Sequence, residues 1–286
     1  MSTAERIANA EQIQYWNEQA GPTWVRFQQL LDKQLDGLGM AAMEAAEIEG
    51  TEHVLDVGCG CGSTTLMLAR QLTRGGRAVG IDISRPMLEV ARQRANAEKV
   101  ANVAFEEADG QTHAFPEEQY DILFSRFGVM FFENPTRAFE NLRRALRPGG
   151  HVAFVCWQGP QKNPWMSVPM MIALEHVKID LPSTPDAPGP FAFADSDRVH
   201  HILHDAGFSG ITMEAYNRDI TIGGGGDLDS SVEFIMDMGP VGRALKDASS
   251  DTRQTVRSRI AEALQGYHGA KGVRMPAAAW IVTAEN

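Results

Sequence analysis

The sequence predicts a doubly wound α/β fold, a mostly parallel sheet with helices on both faces. Three observations carry that expectation. Between residues 53 and 158 short apolar runs alternate with helical stretches, a rhythm that implies parallel strands joined by right-handed crossovers. One such run, Val54-Leu55-Asp56-Val57, leads into a turn with glycines at Gly58, Gly60 and Gly62, and strand, glycine turn, helix is a geometry that holds a nucleotide-like ligand against backbone. The next run, Ala78-Val79-Gly80-Ile81, ends in Asp82, twenty residues past Gly62. A carboxylate there sits at the tip of the neighbouring strand, where it can take two ribose hydroxyls.

Residues 1–50 read as helical, with Tyr15, Trp16, Trp24, Phe27, Leu30, Leu31 and Leu35 forming an apolar face. Strands are expected near 53–58, 78–83, 103–108, 120–125 and 151–157, and helices near 63–74, 85–98 and 135–147. Ser63 and Thr64 are expected to cap the first helix, and Ser84 and Pro86 to start the second, which buries Met87, Leu88, Val90 and Ala91. Ala138, Leu142, Ala145 and Leu146 give the third its buried stripe. Asn163-Pro164-Trp165 then opens a Met-rich helix to about His176, followed by a proline-rich loop, Leu181 to Pro190. Asp195 caps a helix ending at Gly207. A strand is expected at 211–222, helical stretches at 228–247 and 251–266, and a final strand from about Val273 to Thr283.

Composition narrows the function classes. The 286 residues are 43% hydrophobic and 22% charged, ordinary for a globular chain and enough for one α/β domain with additions. A net charge of −11, from 26 basic and 37 acidic residues, argues against a nucleic-acid partner, which calls for a basic field. The local cluster Arg143-Arg144 with Arg147 lies at a helix end, where it complements the dipole. Cys59, Cys61 and Cys156 form neither a disulfide framework nor a zinc set, so no metal is expected and the cysteines read as small fillers in a reducing compartment. Met1 to Arg6 has no apolar export core and no run approaches membrane-spanning length. The expectation is a cytoplasmic protein without a membrane partner.

Asp56-Val57-Gly58-Cys59-Gly60-Cys61-Gly62 and Gly80-Ile81-Asp82-Ile83-Ser84 resemble the first two motifs of the class I S-adenosylmethionine-dependent methyltransferases. Glu107-Ala108-Asp109-Gly110 resembles the family's acidic turn after the third strand, and Leu146-Arg147-Pro148-Gly149-Gly150 its loop before the fifth. The nearest subgroup in pattern is the small-molecule type related to the ubiquinone/menaquinone biosynthesis C-methyltransferases. The motifs span about residues 50–158; the flanks resemble the family only loosely. The resemblance implies a Rossmann-like seven-stranded sheet with an antiparallel edge, its hairpin pairing 211–222 with 273–283 and opened here by a helical insertion. It divides a single methyltransferase domain into an N-terminal helical lid (1–50), a cofactor-binding core (51–158), a lid or substrate insertion (159–194) and C-terminal helices with the edge hairpin (195–286).

The implied activity is methyl transfer from S-adenosylmethionine to a small apolar or aromatic metabolite (EC 2.1.1.-). The implied cofactor-binding residues are Asp56, Gly58, Gly60, Gly62 and Ser63 in the first motif and Asp82, Ile83 and Met87 in the second. Asp109 and Gly110 follow at the adenine, with Ser125 from the fourth strand and Trp24 from the lid. Trp16, Phe127, Met130, Phe131, Trp165 and Met170 are expected around the acceptor, although apolar groups at such spacing are more often plain core. His113 and Arg126 are weak catalytic candidates; Arg126 is equally suited to an acidic substrate or to a nearby carboxylate. A homodimer is compatible with the sequence. Two other classes stay open. A nicotinamide oxidoreductase is disfavoured because Ser63 stands where a dinucleotide fingerprint needs glycine or alanine. The other is a non-catalytic cofactor-binding partner protein.

Overall fold

Three helices precede the sheet in the computed structural model, which describes residues 8–182 and 184–286. They are α1 (Ala10–Glu18), α2 (Ala20–Arg26) and α3 (Gln28–Ala45). Leu31, Leu35, Leu38 and Ala42 recur three to four residues apart, so one face of α3 is buried against the sheet. α1 has no buried residue and owes its position to side-chain contacts with the core. Met1 to Arg6, read above for targeting, lie outside the described residues.

The alternation follows as expected: β1 (His53–Val57), α4 (Ser63–Gln71), β2 (Arg77–Asp82), α5 (Arg85–Glu98), β3 (Val103–Glu107), β4 (Tyr120–Arg126), α6 (Pro135–Ala145) and β5 (Leu146–Trp157). Then come α7 (Pro164–Leu174), α8 (Ser196–Asp205), β6 (Ser209–Thr221), α9 (Leu228–Asp237), α10 (Gly239–Leu245), α11 (Ser250–Leu264), the two-residue β7 (His268–Gly269) and β8 (Gly272–Glu285). The sheet order is β3-β2-β1-β4-β5-β8-β6, with β7 pairing β8 off that path. β1 to β5 run parallel, while β8 runs against both β5 and β6. The antiparallel hairpin is therefore present, registered from Ser209↔Glu285 to Thr221↔Arg274, and α9 to α11 are the helical insertion that opens it. Strand order reverses between β1 and β4, so the ligand crevice of an open α/β sheet falls at the carboxyl ends of those two strands.

Three local expectations change. Gly62, at φ 78°, is the residue before α4 and supplies no side-chain cap; Ser63 and Thr64 are the first helical residues instead. α6 stops at Ala145 because Leu146 pairs with Tyr120 and begins β5. The stretch 228–247 is two helices, since Met238 is extended and Gly239-Pro240 starts afresh. Among the described residues no helix is long and apolar enough to cross a membrane.

Candidate functional site

The glycine turn is shaped by contacts that leave no room for side chains. Gly58, Gly60 and Gly62 all have positive φ, at 71°, 55° and 78°, a region costly for residues with a Cβ. At Gly58 a Cβ would lie 2.6 Å from Gly128 Cα, so the turn and the end of β4 are pressed backbone to backbone. Gly58→Ala is expected to destabilise the protein by at least about 2 kcal/mol, from the φ penalty plus the clash. Urea denaturation checks it, and a loss below about 0.5 kcal/mol would contradict that packing. Ser125 closes the same junction: its buried hydroxyl donates to Val57 O (2.7 Å) and accepts from Gly128 N (3.1 Å).

Asp82 ties the turn to the next strand. One carboxylate oxygen accepts from Gly60 N at 2.8 Å and the other from Ser84 N at 2.8 Å. Burial pushes its pKa up to about 6, against the opposing pull of those two backbone donors. Each oxygen keeps a further lone-pair direction for a ligand hydroxyl. Asp56 is fully buried at the tip of β1. Its Oδ2 accepts from the hydroxyls of Thr64 (2.7 Å) and Thr65 (2.6 Å), while Oδ1 has no partner. Burial raises this carboxyl too. An orphaned buried acceptor is costly, so Asp56 Oδ1 calls for a donor. The first-turn amides of α4, which lack a side-chain cap, call for an acceptor. The cysteines in and near the turn are buried, and burial raises the Cys59 thiol, which keeps it protonated and inert.

The N-terminal helices lie across these strand tips. Asn9 Nδ2 donates to both oxygens of Asp109, at 2.9 and 2.8 Å, and Glu133 N donates to Asn9 Oδ1 at 2.7 Å. Asn17 Nδ2 donates to Ile83 O (2.8 Å), and Ser84 Oγ donates to Trp16 O (2.8 Å). Asp109 also takes Gln111 N at 2.9 Å, the turn function of a short carboxylate.

Two aromatic groups flank the crevice. Trp16 meets Trp24 edge-on at 5.8 Å and Phe131 at 5.1 Å. Phe127 stacks on Trp157 at 4.1 Å, and Trp157 meets Trp165 at 5.2 Å. Phe127 has φ 64°, a conformation that costs a non-glycine residue energy and clusters at ligand sites. Met87 supports Gly60, its methyl 2.7 Å from where a Cβ would stand, while Gly110 is buried against Phe132, whose ring lies 3.1 Å from where its Cβ would be. Met130 is 1% exposed, so this expected pocket residue is core: the short 3-10 turn after β4 points it inward. Met170 is half-buried on α7. His113 packs its ring against Phe115 at 4.7 Å.

Arg126 has carboxylate partners that nothing in the local sequence identifies. Its guanidinium faces Asp32 and Asp36 of α3, each at 3.4 Å. Arg94 joins Asp32 at 3.1 Å and donates to Cys61 O at 2.9 Å. The side chain is only 10% exposed. Of its two expected roles, the structure shows the carboxylate pairing. Asp32 and Asp36 stand four apart, a helix-face signal, but nothing local says which cation they meet. Asn9 carried no signal either, as its partner lies a hundred positions away.

Residues 54–150 match the methyltransferase domain family. The chain is 30% identical over 122 residues to the demethylmenaquinone methyltransferase of Lactiplantibacillus plantarum, covering 42% of this chain and 51% of that protein. It is 30% identical over 117 residues to the aklanonic acid methyltransferase DauC of Streptomyces sp. (strain C5), covering 41% and 53%. The matches thus span about half the length of these curated relatives. In fold it is similar to the YcgJ protein of Bacillus subtilis, with TM-score 0.57 and 17% identity over 87% of this chain and 97% of the other.

Proposed function

We propose that this chain, whose residues 54–150 form a class I S-adenosylmethionine-dependent methyltransferase domain, transfers a methyl group to a small apolar or aromatic metabolite. One observation carries the reading: the acid at the tip of β2 is bonded to the middle of the β1 glycine turn, Asp82 to Gly60 N at 2.8 Å. The donor set beside it fits an amino-acid-bearing nucleoside. Asp56 Oδ1 lacks a donor, which an ammonium group supplies. The uncapped start of α4 suits a carboxylate, and Asp82 suits a ribose diol. Asp109 and Gly110 suit the adenine.

S-adenosylmethionine, when bound, supplies a methyl group on a cationic sulfur. The chain's own part is alignment and exclusion of water. The Trp16–Trp24–Phe131 and Phe127–Trp157–Trp165 groups would form the walls, and their ring faces favour a cation. Aromatic walls also suit a flat acceptor, and the two curated relatives are named for demethylmenaquinone and aklanonic acid. The family match leaves the nicotinamide reading without support. Incubation with methyl-labelled S-adenosylmethionine and hydroquinone, phenolic and aromatic-acid acceptors is expected to label at least one. Labelling of none, nor of any small molecule in a cell extract, would favour a non-catalytic binding protein.

In this reading the N-terminal helices are a lid over the cofactor. Asn9 occupies both oxygens of Asp109, the atoms an adenine amino group would use. Asn9→Ala is expected to speed cofactor association several-fold, read by stopped-flow quenching of Trp16 and Trp24. An unchanged association rate would show that α1 does not gate entry.

A further inference from the structure

A cavity of about 270 Å³ lies where α3 crosses the projecting end of the β6–β8 hairpin, away from the residues described above. Its lining includes Lys33 on α3, Arg218 on β6, Lys271 in the β7–β8 turn and Arg274 on β8. Asp219 is the one carboxylate in that lining, and it stands 3.8 Å from Arg274. Lys33, Arg218 and Lys271 have no ion-pair partner among the described residues. What sets these three apart is that they converge on one hollow in a chain of net charge −11.

Two further features show that the hollow is shaped. Arg218 is seated: a Cβ at Gly37 would fall 2.1 Å from its Nη1, so only glycine lets the guanidinium lie against α3. On its other side Arg218 Nη1 donates to Tyr216 Oη at 3.2 Å. The buried Gln34 also lines the cavity. Its Oε1 accepts from Gly223 N at 2.8 Å, while its Nε2 has no partner. The hollow thus combines convergent cations with a pre-set guanidinium fork, the chemistry that recognises a multivalent oxyanion. The acidic pair Asp32 and Asp36 faces Arg126 from the adjacent side of α3, roughly 100° round the helix from Lys33 and Gly37. Lys33 borders the acidic pair on one side and the basic hollow on the other.

We propose that this cavity binds a small soluble phosphorylated molecule through its phosphoryl group, independently of the methyl-transfer reading. Inorganic pyrophosphate is the probe. Calorimetric titration of the full chain at low salt is expected to show one saturable site in the sub-millimolar range. The pair Arg218→Gln with Lys271→Gln should weaken it at least tenfold. Gly37→Ala, which keeps every charge, should weaken it several-fold by displacing Arg218. Arg143→Gln with Arg144→Gln removes the same charge elsewhere and should change nothing. S-adenosylhomocysteine affinity, measured in parallel, should be the same in all variants, which separates failure here from failure at the crevice. The proposal is overturned by absence of saturation, by equal weakening in the Arg143/Arg144 control, or by binding confined to phosphatidylglycerol vesicles.

Discussion

Replacing Asp82 with Ala is expected to weaken S-adenosylmethionine binding roughly 10- to 150-fold, the equivalent of about 1.5–3 kcal/mol for hydrogen bonds to a charged acceptor. The pH dependence is the sharper test. Burial raises the Asp82 carboxyl from the usual carboxylate range to about 6. A folded-state pKa above the unfolded one means, for an acid, that the charged form costs stability above about pH 6. That cost fades as pH falls through about 6 and is gone below the unfolded value. Ribose hydroxyls donate to the charged form and so favour it. Below about pH 6 binding must first expel a proton, and affinity should rise with pH through about 6 and then level off. Asp82→Asn should lose that rise. Calorimetry from pH 5 to 7.5 decides the matter: a flat wild-type profile, or undiminished affinity in the Ala variant, would remove Asp82 from the ribose.

Arg126→Met is expected to cost about 3 kcal/mol of unfolding free energy, the low end of what breaking a buried ion pair costs. The guanidinium is 10% exposed and Asp32 13%, so solvent screens neither well. Truncation would leave Asp32 with Arg94 as its one charged partner among the described residues, beside the Gln28 amide. Asp36, whose carboxyl burial already raises despite Arg126, would be pushed further toward its neutral form. Pairing Arg126→Met with Asp32→Asn should recover part of the loss, because the two residues share one network. Urea denaturation of the single and double variants reads both effects. A single-variant loss under about 1 kcal/mol with weakened acceptor binding would instead make Arg126 a substrate hook.

Much of the architecture was legible from residue order. The five parallel strands and their crossover helices follow from apolar runs alternating with capped stripes, and the positive φ at Gly58, Gly60 and Gly62 is what such a glycine spacing is for. The β6–β8 hairpin was reached through family resemblance, since its strands are separated by three helices and no local pattern joins them. Met130 shows the limit of apolar spacing: Phe127, Met130 and Phe131 read alike in the sequence, but which of them faces a crevice depends on a single 3-10 turn. Ser63 and Thr64 are helical rather than caps because the turn before α4 is left-handed at Gly62, which starts the helix two residues earlier than Thr65.

The sequence by itself determined where the parallel strands fall along the chain, the sharp bend after β1 and the acid at the end of β2, because these answer to steric demands acting within a few residues. Only the tertiary structure decided that Arg126 meets Asp32, that Asn9 lies on Asp109 and that Lys33, Arg218 and Lys271 share a hollow beside Gly37. These pairings join positions 94 and 100 apart for Arg126–Asp32 and Asn9–Asp109, and at such separations partners are chosen by how helices pack on the sheet rather than by any rule that acts along the chain.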